Sequence, residues 1–323
     1  MKTILITGGF GILGASLSNI LYNKGYKIII FDRSKKRKKL LNTYINSKII
    51  RQHGDFTNIK QVKTIIRKNK INTIIHLGAI TQVIEAYKEP YSAFKNNVTG
   101  TINILEAVRE VNKKINIIFS SSDKAYGKMT KKSYTESNPL HGDYPYDVSK
   151  SAADLISQSY SKTYNLKIGI IRSGNIYGPA DINMDRLIPG TIVKALKGEP
   201  VQIRTSGKLV RDYLFVDDVS NAYYKLLLYM NKNNNKKLFI YNLGSKFNFN
   251  SLEVVKRIYK IININLKPII LNKSSIEIIA QKLNYKKAVK DLKWKPITDF
   301  KIGMLKTIKW YKDNYNEFKH LKF

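Results

Sequence analysis

Gly8-Gly9-Phe10-Gly11-Ile12-Leu13-Gly14 constrains this chain more than any other stretch. It follows the apolar run Thr3–Thr7 directly, and the helical pattern Ile12–Tyr22 follows it in turn. A strand that turns through glycines into a helix opens a parallel βαβ unit. The glycines at 8, 11 and 14 allow a tight turn and a close backbone approach, so the helix N-terminus can face an anion such as a pyrophosphate. The next apolar run, Lys27–Phe31, ends on Asp32, where a carboxylate accepts ribose hydroxyls and repels a 2′-phosphate. Together these features predict a dinucleotide site for NAD rather than NADP, built from Gly8, Phe10, Gly11, Ile12, Gly14 and Asp32. Asp55, in Gly54-Asp55-Phe56-Thr57, either meets the adenine or caps the helix that follows.

Further apolar runs at Ser47–Gln52, Thr73–Leu77, Ile115–Ser121, Lys167–Arg172 and Leu238–Leu243 read as strands, most of them separated by enough chain for a helix. That alternation predicts an α/β fold with a doubly wound parallel sheet. After Gly178-Pro179 the alternation weakens: Leu187–Lys197 and Asp217–Tyr229 read as helices and Val201–Arg204 as a short strand. No internal repeat is present.

Composition narrows the function classes. With no cysteine, the chain has neither disulfides nor thiol chemistry, and its four scattered histidines lack metal-ligand spacing, so no metal site is expected. No apolar run reaches the roughly 18 residues of a membrane span, and the opening residues are too short for a signal peptide. A cytoplasmic protein with no membrane partner is expected. The formal net charge of +34 invites a nucleic-acid reading. The lysines, however, are spread along the whole chain among isoleucines and asparagines, a pattern of biased composition rather than a binding footprint, so no specific nucleic-acid partner is expected. The densest run, Lys35-Lys36-Arg37-Lys38-Lys39, reads as a solvated loop or helix start.

Ser122-Asp123-Lys124 stands at the end of the Ile115–Ser121 run, and Tyr146 and Lys150 follow at a spacing of four on one face of a predicted helix. The string Tyr-x-x-x-Lys is common in this composition, with about three chance matches expected from residue frequencies. It occurs at Tyr44/Lys48, Tyr91/Lys95, Tyr146/Lys150 and Tyr315/Lys319. Position singles out Tyr146, which follows the Ser122 strand and opens its helix after Pro145.

The glycine spacing, His76-Leu77-Gly78-Ala79, Asn97-Val98-Thr99-Gly100-Thr101, the Ser122 strand end and Tyr146/Lys150 together resemble the extended short-chain dehydrogenase/reductases. Arg172-x-Gly174-Asn175-x-Tyr177-Gly178-Pro179, Arg211-Asp212-Tyr213-x-x-Val216-x-Asp218 and Leu292-Lys293-Trp294-Lys295-Pro296 carry the resemblance to the C-terminus. It implies a Rossmann domain over 1–178 plus about 215–243, and a smaller sugar-nucleotide lobe over about 179–214 plus 244–323. Asp123-Lys124 resembles the pair of the CDP-glucose 4,6-dehydratases and of the inverting UDP-N-acetylglucosamine 4,6-dehydratases. Gly142–Lys150 and Asp185–Pro189 are more similar to the former.

The resemblance implies a nucleotide-diphosphosugar substrate, with Tyr146 as base at C4 and Ser122 orienting the same oxygen. Lys150 both contacts the cofactor and lowers the Tyr146 phenol. Asp123 serves as acid at the C6 hydroxyl, and Lys124 as base at C5 with a depressed pKa. Asp123 could instead be a turn residue, and Lys124 an exposed or phosphate-facing cation. Asn175, Arg186 and Arg211 are the candidates for the diphosphate and sugar, although Arg186 could equally be an ordinary surface charge. A homodimer through Ala93–Val111 and Ser149–Tyr164 is also implied. The alternatives are a 4-epimerase on the same scaffold, or a non-catalytic dinucleotide-sensing or nucleic-acid-binding protein.

Overall fold

The computed structural model describes residues 1–35, 37, 41–128, 133–272 and 280–318. Of the basic run, Lys36, Lys38 and Lys39 lie outside the described residues, as does Lys319, while Lys35 and Arg37 are exposed.

Seven strands form the main sheet: β1 (Thr3–Thr7), β2 (Lys27–Asp32), β3 (Ile50–His53), β4 (Thr73–His76), β5 (Asn116–Ser120), β6 (Ile168–Ser173) and β10 (Leu238–Leu243). Their order is β10-β6-β5-β4-β1-β2-β3, with every neighbouring pair parallel. The strand order reverses between β1 and β4, the crevice where doubly wound sheets place their ligands. Strands buried on both faces need apolar residues of both parities. Ile4, Ile6, Ile28 and Ile30 enter one core with the helices Ile12–Asn23 and Val216–Lys232. Leu5, Ile29 and Phe31 enter the other with the helices Ile59–Lys68 and Gly100–Val111.

A second layer lies outside this sheet. β7 (Asn175–Tyr177), β9 (Val210–Phe215) and β11 (Asn248–Asn250) form a three-stranded sheet with β9 in the middle, and β8 (Gln202–Ile203) pairs with β12 (Ile269–Ile270). Its core joins Tyr177, Tyr213 and Phe215 to the helices Leu187–Leu196, Ser251–Ile262 and Phe300–Asp313. The C-terminal part also returns to the large core, where Ala288, Leu292 and Trp294 pack. The Trp294 indole N–H donates to the Asp218 carbonyl at 2.8 Å, and the Thr298 N–H donates to the Asp218 carboxylate at 2.9 Å.

Most sequence-predicted strands are found within a few residues of their expected bounds. β9 was not expected, because Arg211 and Asp212 interrupt its apolar pattern, yet both are buried. Asp212 accepts from the Leu283 N–H at 3.0 Å, a partner 71 residues away that no local pattern announces.

Candidate active site

The dinucleotide loop is held by close packing. Gly8 has φ +68°, a conformation L side chains rarely adopt. A Cβ on Gly14 would lie 2.6 Å from the Gly8 carbonyl oxygen and from the Gly9 Cα. Gly11 caps the helix Ile12–Asn23 without a side-chain hydrogen bond, leaving first-turn N–H groups to meet an anion. Asp32, at the end of β2, accepts from the Phe10 N–H at 3.2 Å and the Ser34 N–H at 2.9 Å, which ties the acid to the glycine turn. These features fit a dinucleotide: an open helix start, a glycine-only approach and a carboxylate beside it. Asp55 does not cap the following helix. Asn58 does, accepting from the Lys60 and Gln61 N–H groups, while Asp55 accepts from the Thr57 N–H at 2.8 Å and from Arg33 at 3.2 Å.

Beyond β5 the chain makes a single 3-10 turn, Asp123–Tyr126, capped by the Ser122 hydroxyl, which accepts from the Lys124 N–H at 3.2 Å. Ser122 also donates to Asp123 at 3.1 Å and hydrogen-bonds the Tyr146 phenol. Tyr146 and Lys150 lie in the first turns of the helix Pro145–Tyr164, whose first residue is a proline with φ already suited to a helix. The Ser151 hydroxyl binds this helix to the Asp123–Tyr126 turn by donating to the Ala125 carbonyl at 2.8 Å. On the other side, Asn97 donates to Ser149 at 2.9 Å and exchanges two hydrogen bonds with the backbone of Ile80. Asn97 belongs to a π-helical turn, Lys95–Thr99, an irregularity that recurs at functional sites. The Lys150 Nζ donates to the Ser120 carbonyl at 3.0 Å.

Burial sets the electrostatics. It pushes Lys150 down to about 8 and the Asp123 carboxyl up, with Lys124 and Arg211 pulling the latter back. Asp147, adjacent to Tyr146, is pushed up to about 6, again by burial first. Tyr146 was expected to be lowered, but the chain raises it well above the ordinary phenol value. Burial dominates and Asp123 and Asp147 add to it, while the Ser122 hydrogen bond and Arg186 oppose it. His76 is buried against Thr7 at 2.6 Å and held neutral, its pKa lowered to about 3, so it braces β1 against β4.

Lys124, Asn175, Arg186 and Arg211 line one cleft of about 330 Å³ between the two layers. Arg186 is not an ordinary surface charge: it donates to Asp181 and to the Ile176 carbonyl, both at 2.7 Å, at the start of the helix Leu187–Leu196. Arg211 is buried and donates to the Val210 carbonyl at 2.9 Å. Sequence reasoning missed Gln82 and Arg204 in the cleft wall. Gln82 donates to Asn183 at 2.8 Å, and Arg204 pairs with Asp185 at 3.1 Å. Both contacts join separate parts of the chain, so no local motif marks them.

This fold and this arrangement of residues define an extended short-chain dehydrogenase/reductase. The model of the NAD dependent epimerase/dehydratase family matches residues 4–244, and the chain belongs to that family. The dTDP-glucose 4,6-dehydratase of Haemophilus influenzae is 28% identical, covering 96% of this chain and 98% of its own. A trifunctional UDP-glucose 4,6-dehydratase/UDP-4-keto-6-deoxy-D-glucose 3,5-epimerase/UDP-4-keto-L-rhamnose-reductase of Arabidopsis thaliana is 29% identical over 97% of this chain. The chain spans about half, 48%, of that relative's length. The dTDP-glucose 4,6-dehydratase of Bacillus anthracis, solved with NAD, superposes with a TM-score of 0.86 at 26% identity over the full length of both chains. Among the described residues no helix is long and apolar enough to cross a membrane.

Proposed function

We propose that this protein is an NAD-dependent 4,6-dehydratase of a nucleoside-diphosphate hexose. The observation that carries this reading is the Asp123-Lys124 pair: Asp123 is buried against Ser122, and Lys124 lines the cleft beside Arg211. An epimerase needs only the Ser122, Tyr146 and Lys150 set, whereas loss of water also needs an acid and a base at C6 and C5.

The loop Gly8–Gly14, Asp32, Asp55, Tyr146 and Lys150 hold the dinucleotide. Bound there, NAD would supply the hydride chemistry, a reversible transfer between the nicotinamide and carbons C4 and C6 of the sugar. Tyr146 takes the C4 hydroxyl proton, oriented by Ser122; because burial raises the phenol, a cation beside it must offset that cost. Lys124 removes the proton from C5, and the released electron pair forms the C5–C6 double bond as the C6–oxygen bond breaks. Asp123, whose burial favours the protonated acid, gives its proton to the departing hydroxyl, which leaves as water. Lys124 then returns its proton to C5 as hydride reaches C6. Asn175, Arg186 and Arg211 hold the sugar and the diphosphate, where guanidinium forks suit phosphate oxygens. On this reading residues 1–178 plus about 215–243 form the cofactor domain, and the remainder forms the substrate lobe of a cytoplasmic homodimer.

The test is to incubate the enzyme with CDP-, dTDP-, UDP- and GDP-linked hexoses and follow loss of water by mass spectrometry. Tyr146→Phe should slow both reduction of the nicotinamide and dehydration by about 100-fold or more. Asp123→Asn and Lys124→Met should still reduce the nicotinamide and accumulate a 4-keto sugar that retains its 6-hydroxyl. If no sugar loses water while one exchanges its C4 configuration, the protein is an epimerase.

A further inference from the structure

The C-terminal segment brings one side chain to the Asp123-Lys124 pair that no motif contains. Residues 280–284 are clamped between β9 and Tyr134. The Gln281 N–H donates to the Val210 carbonyl at 3.3 Å, and the Leu283 N–H donates to Asp212 at 3.0 Å. Tyr134 exchanges backbone hydrogen bonds with Lys282 at 3.0 Å and Asn284 at 2.8 Å. Gln281 is 1% exposed. Its side-chain carbonyl accepts from the Lys124 Nζ at 3.3 Å, while its Nε2 is buried with no hydrogen-bond partner. A buried donor left unmet is costly, and such a group in a rigid segment points to a role beyond packing.

We propose that Gln281 is a positioning residue: its amide holds the Lys124 amine in place without adding the negative charge that would keep it protonated. This rests on the dehydratase reading, in which Lys124 must be neutral to accept the C5 proton. A carboxylate at this position would hold the lysine equally well but would favour its ammonium form. Charged groups already face Lys124 from other elements. Asp123 lies on its own turn, Asp147 comes from the helix Pro145–Tyr164, and Asp143, just ahead of that helix, acts on Asp147. Arg211 and Asp212 act from β9 through Asp123. Burial raises the carboxyls of Asp123, Asp147 and Asp212 above the ordinary range, which weakens the negative charge they present near neutral pH compared with an exposed carboxylate. The neutral amide of Gln281 completes that surround.

The experiment compares the wild-type enzyme with Gln281→Glu and Gln281→Met. The first readout needs no substrate: pH-dependent acylation of Lys124 by acetic anhydride, followed by peptide mass spectrometry. Gln281→Glu should raise the apparent Lys124 pKa by about one unit, and thus lower the neutral fraction near pH 7 about tenfold. The second readout is the pH profile of water loss, which in Gln281→Glu should move to higher pH by the same amount. Gln281→Met should slow water loss with no such upward shift. In both variants reduction of the nicotinamide at C4 should keep its wild-type rate. Wild-type acylation and pH profiles in both variants would overturn the proposal. So would a uniform loss of both steps with a lowered melting temperature, which marks a purely structural residue. If the wild-type enzyme dehydrates no sugar, the dehydratase reading fails, and the acylation profiles still decide whether Gln281 sets the state of Lys124.

Discussion

At the scale of single residues, the site is governed by what burial does to charge. Asp147 is 2% exposed, and its Oδ1 has no hydrogen-bond partner. Burial raises its pKa from 3.8 to about 6, so the folded chain holds the proton more tightly than the unfolded chain does. The stability this confers is complete below the unfolded value and is lost as pH rises through about 6. Asp147→Asn should therefore flatten thermal stability across that window, and should exceed the wild-type stability at pH 8 by about 2–3 kcal/mol. Calorimetric melting from pH 4 to pH 8 measures this; a wild-type slope in the variant would refute it. The slope that remains has other sources, among them Asp212, whose pKa rises to about 7, Asp123, Asp181 and Asp218 in the same sense, and His76, whose pKa falls to about 3, in the opposite one.

At the scale of elements, the junction between β1 and the helix Ile12–Asn23 has the least tolerance. Gly14 packs where any side chain would meet the Gly8 and Gly9 backbone. Gly14→Ala must push the loop away from the helix, an overpacking that costs about 1–3 kcal/mol. In the proposed cofactor site the displaced amides would then no longer converge on the pyrophosphate. NAD affinity by calorimetric titration should fall by about tenfold or more, a loss within that same energy range. An unchanged affinity would separate the loop from cofactor binding. The helix Pro145–Tyr164 is held differently, by side chains of distant elements. Asp154 forms a buried bidentate pair with Arg172 of β6, at 2.8 and 2.9 Å. Arg172 was singled out in the sequence beside Asn175, and in the structure it braces the site rather than lining the cleft.

At the scale of the whole molecule, two like-charged subunits must meet if the chain dimerises. Leu155, 51% exposed, and Tyr164 lie on the second of the expected dimer helices, with exposed Val148 just ahead of it, and Tyr91, 76% exposed, lies just ahead of the first. Leu155→Asp should shift the mass seen by light scattering toward the monomer while leaving the circular dichroism unchanged. Because each subunit carries +34, dimerisation of the wild type should strengthen as salt rises and the repulsion is screened. A monomeric wild type at all salt concentrations would count against the interface.

The parallel sheet, the glycine turn and the Ser122, Tyr146 and Lys150 set were legible in the sequence because each depends on neighbours within one strand–helix unit. Local periodicity and spacing carry that information. β9, the Gln82–Asn183 contact, the state of Tyr146 and the approach of Gln281 to Lys124 were not, for a common physical reason. Each joins residues far apart in the chain, and burial then decides the charge or the pairing. The sequence determined which chemical groups are present and which unit carries them. Only the packing of the second layer against the sheet decided which groups face one another, and hence how protons are held among them.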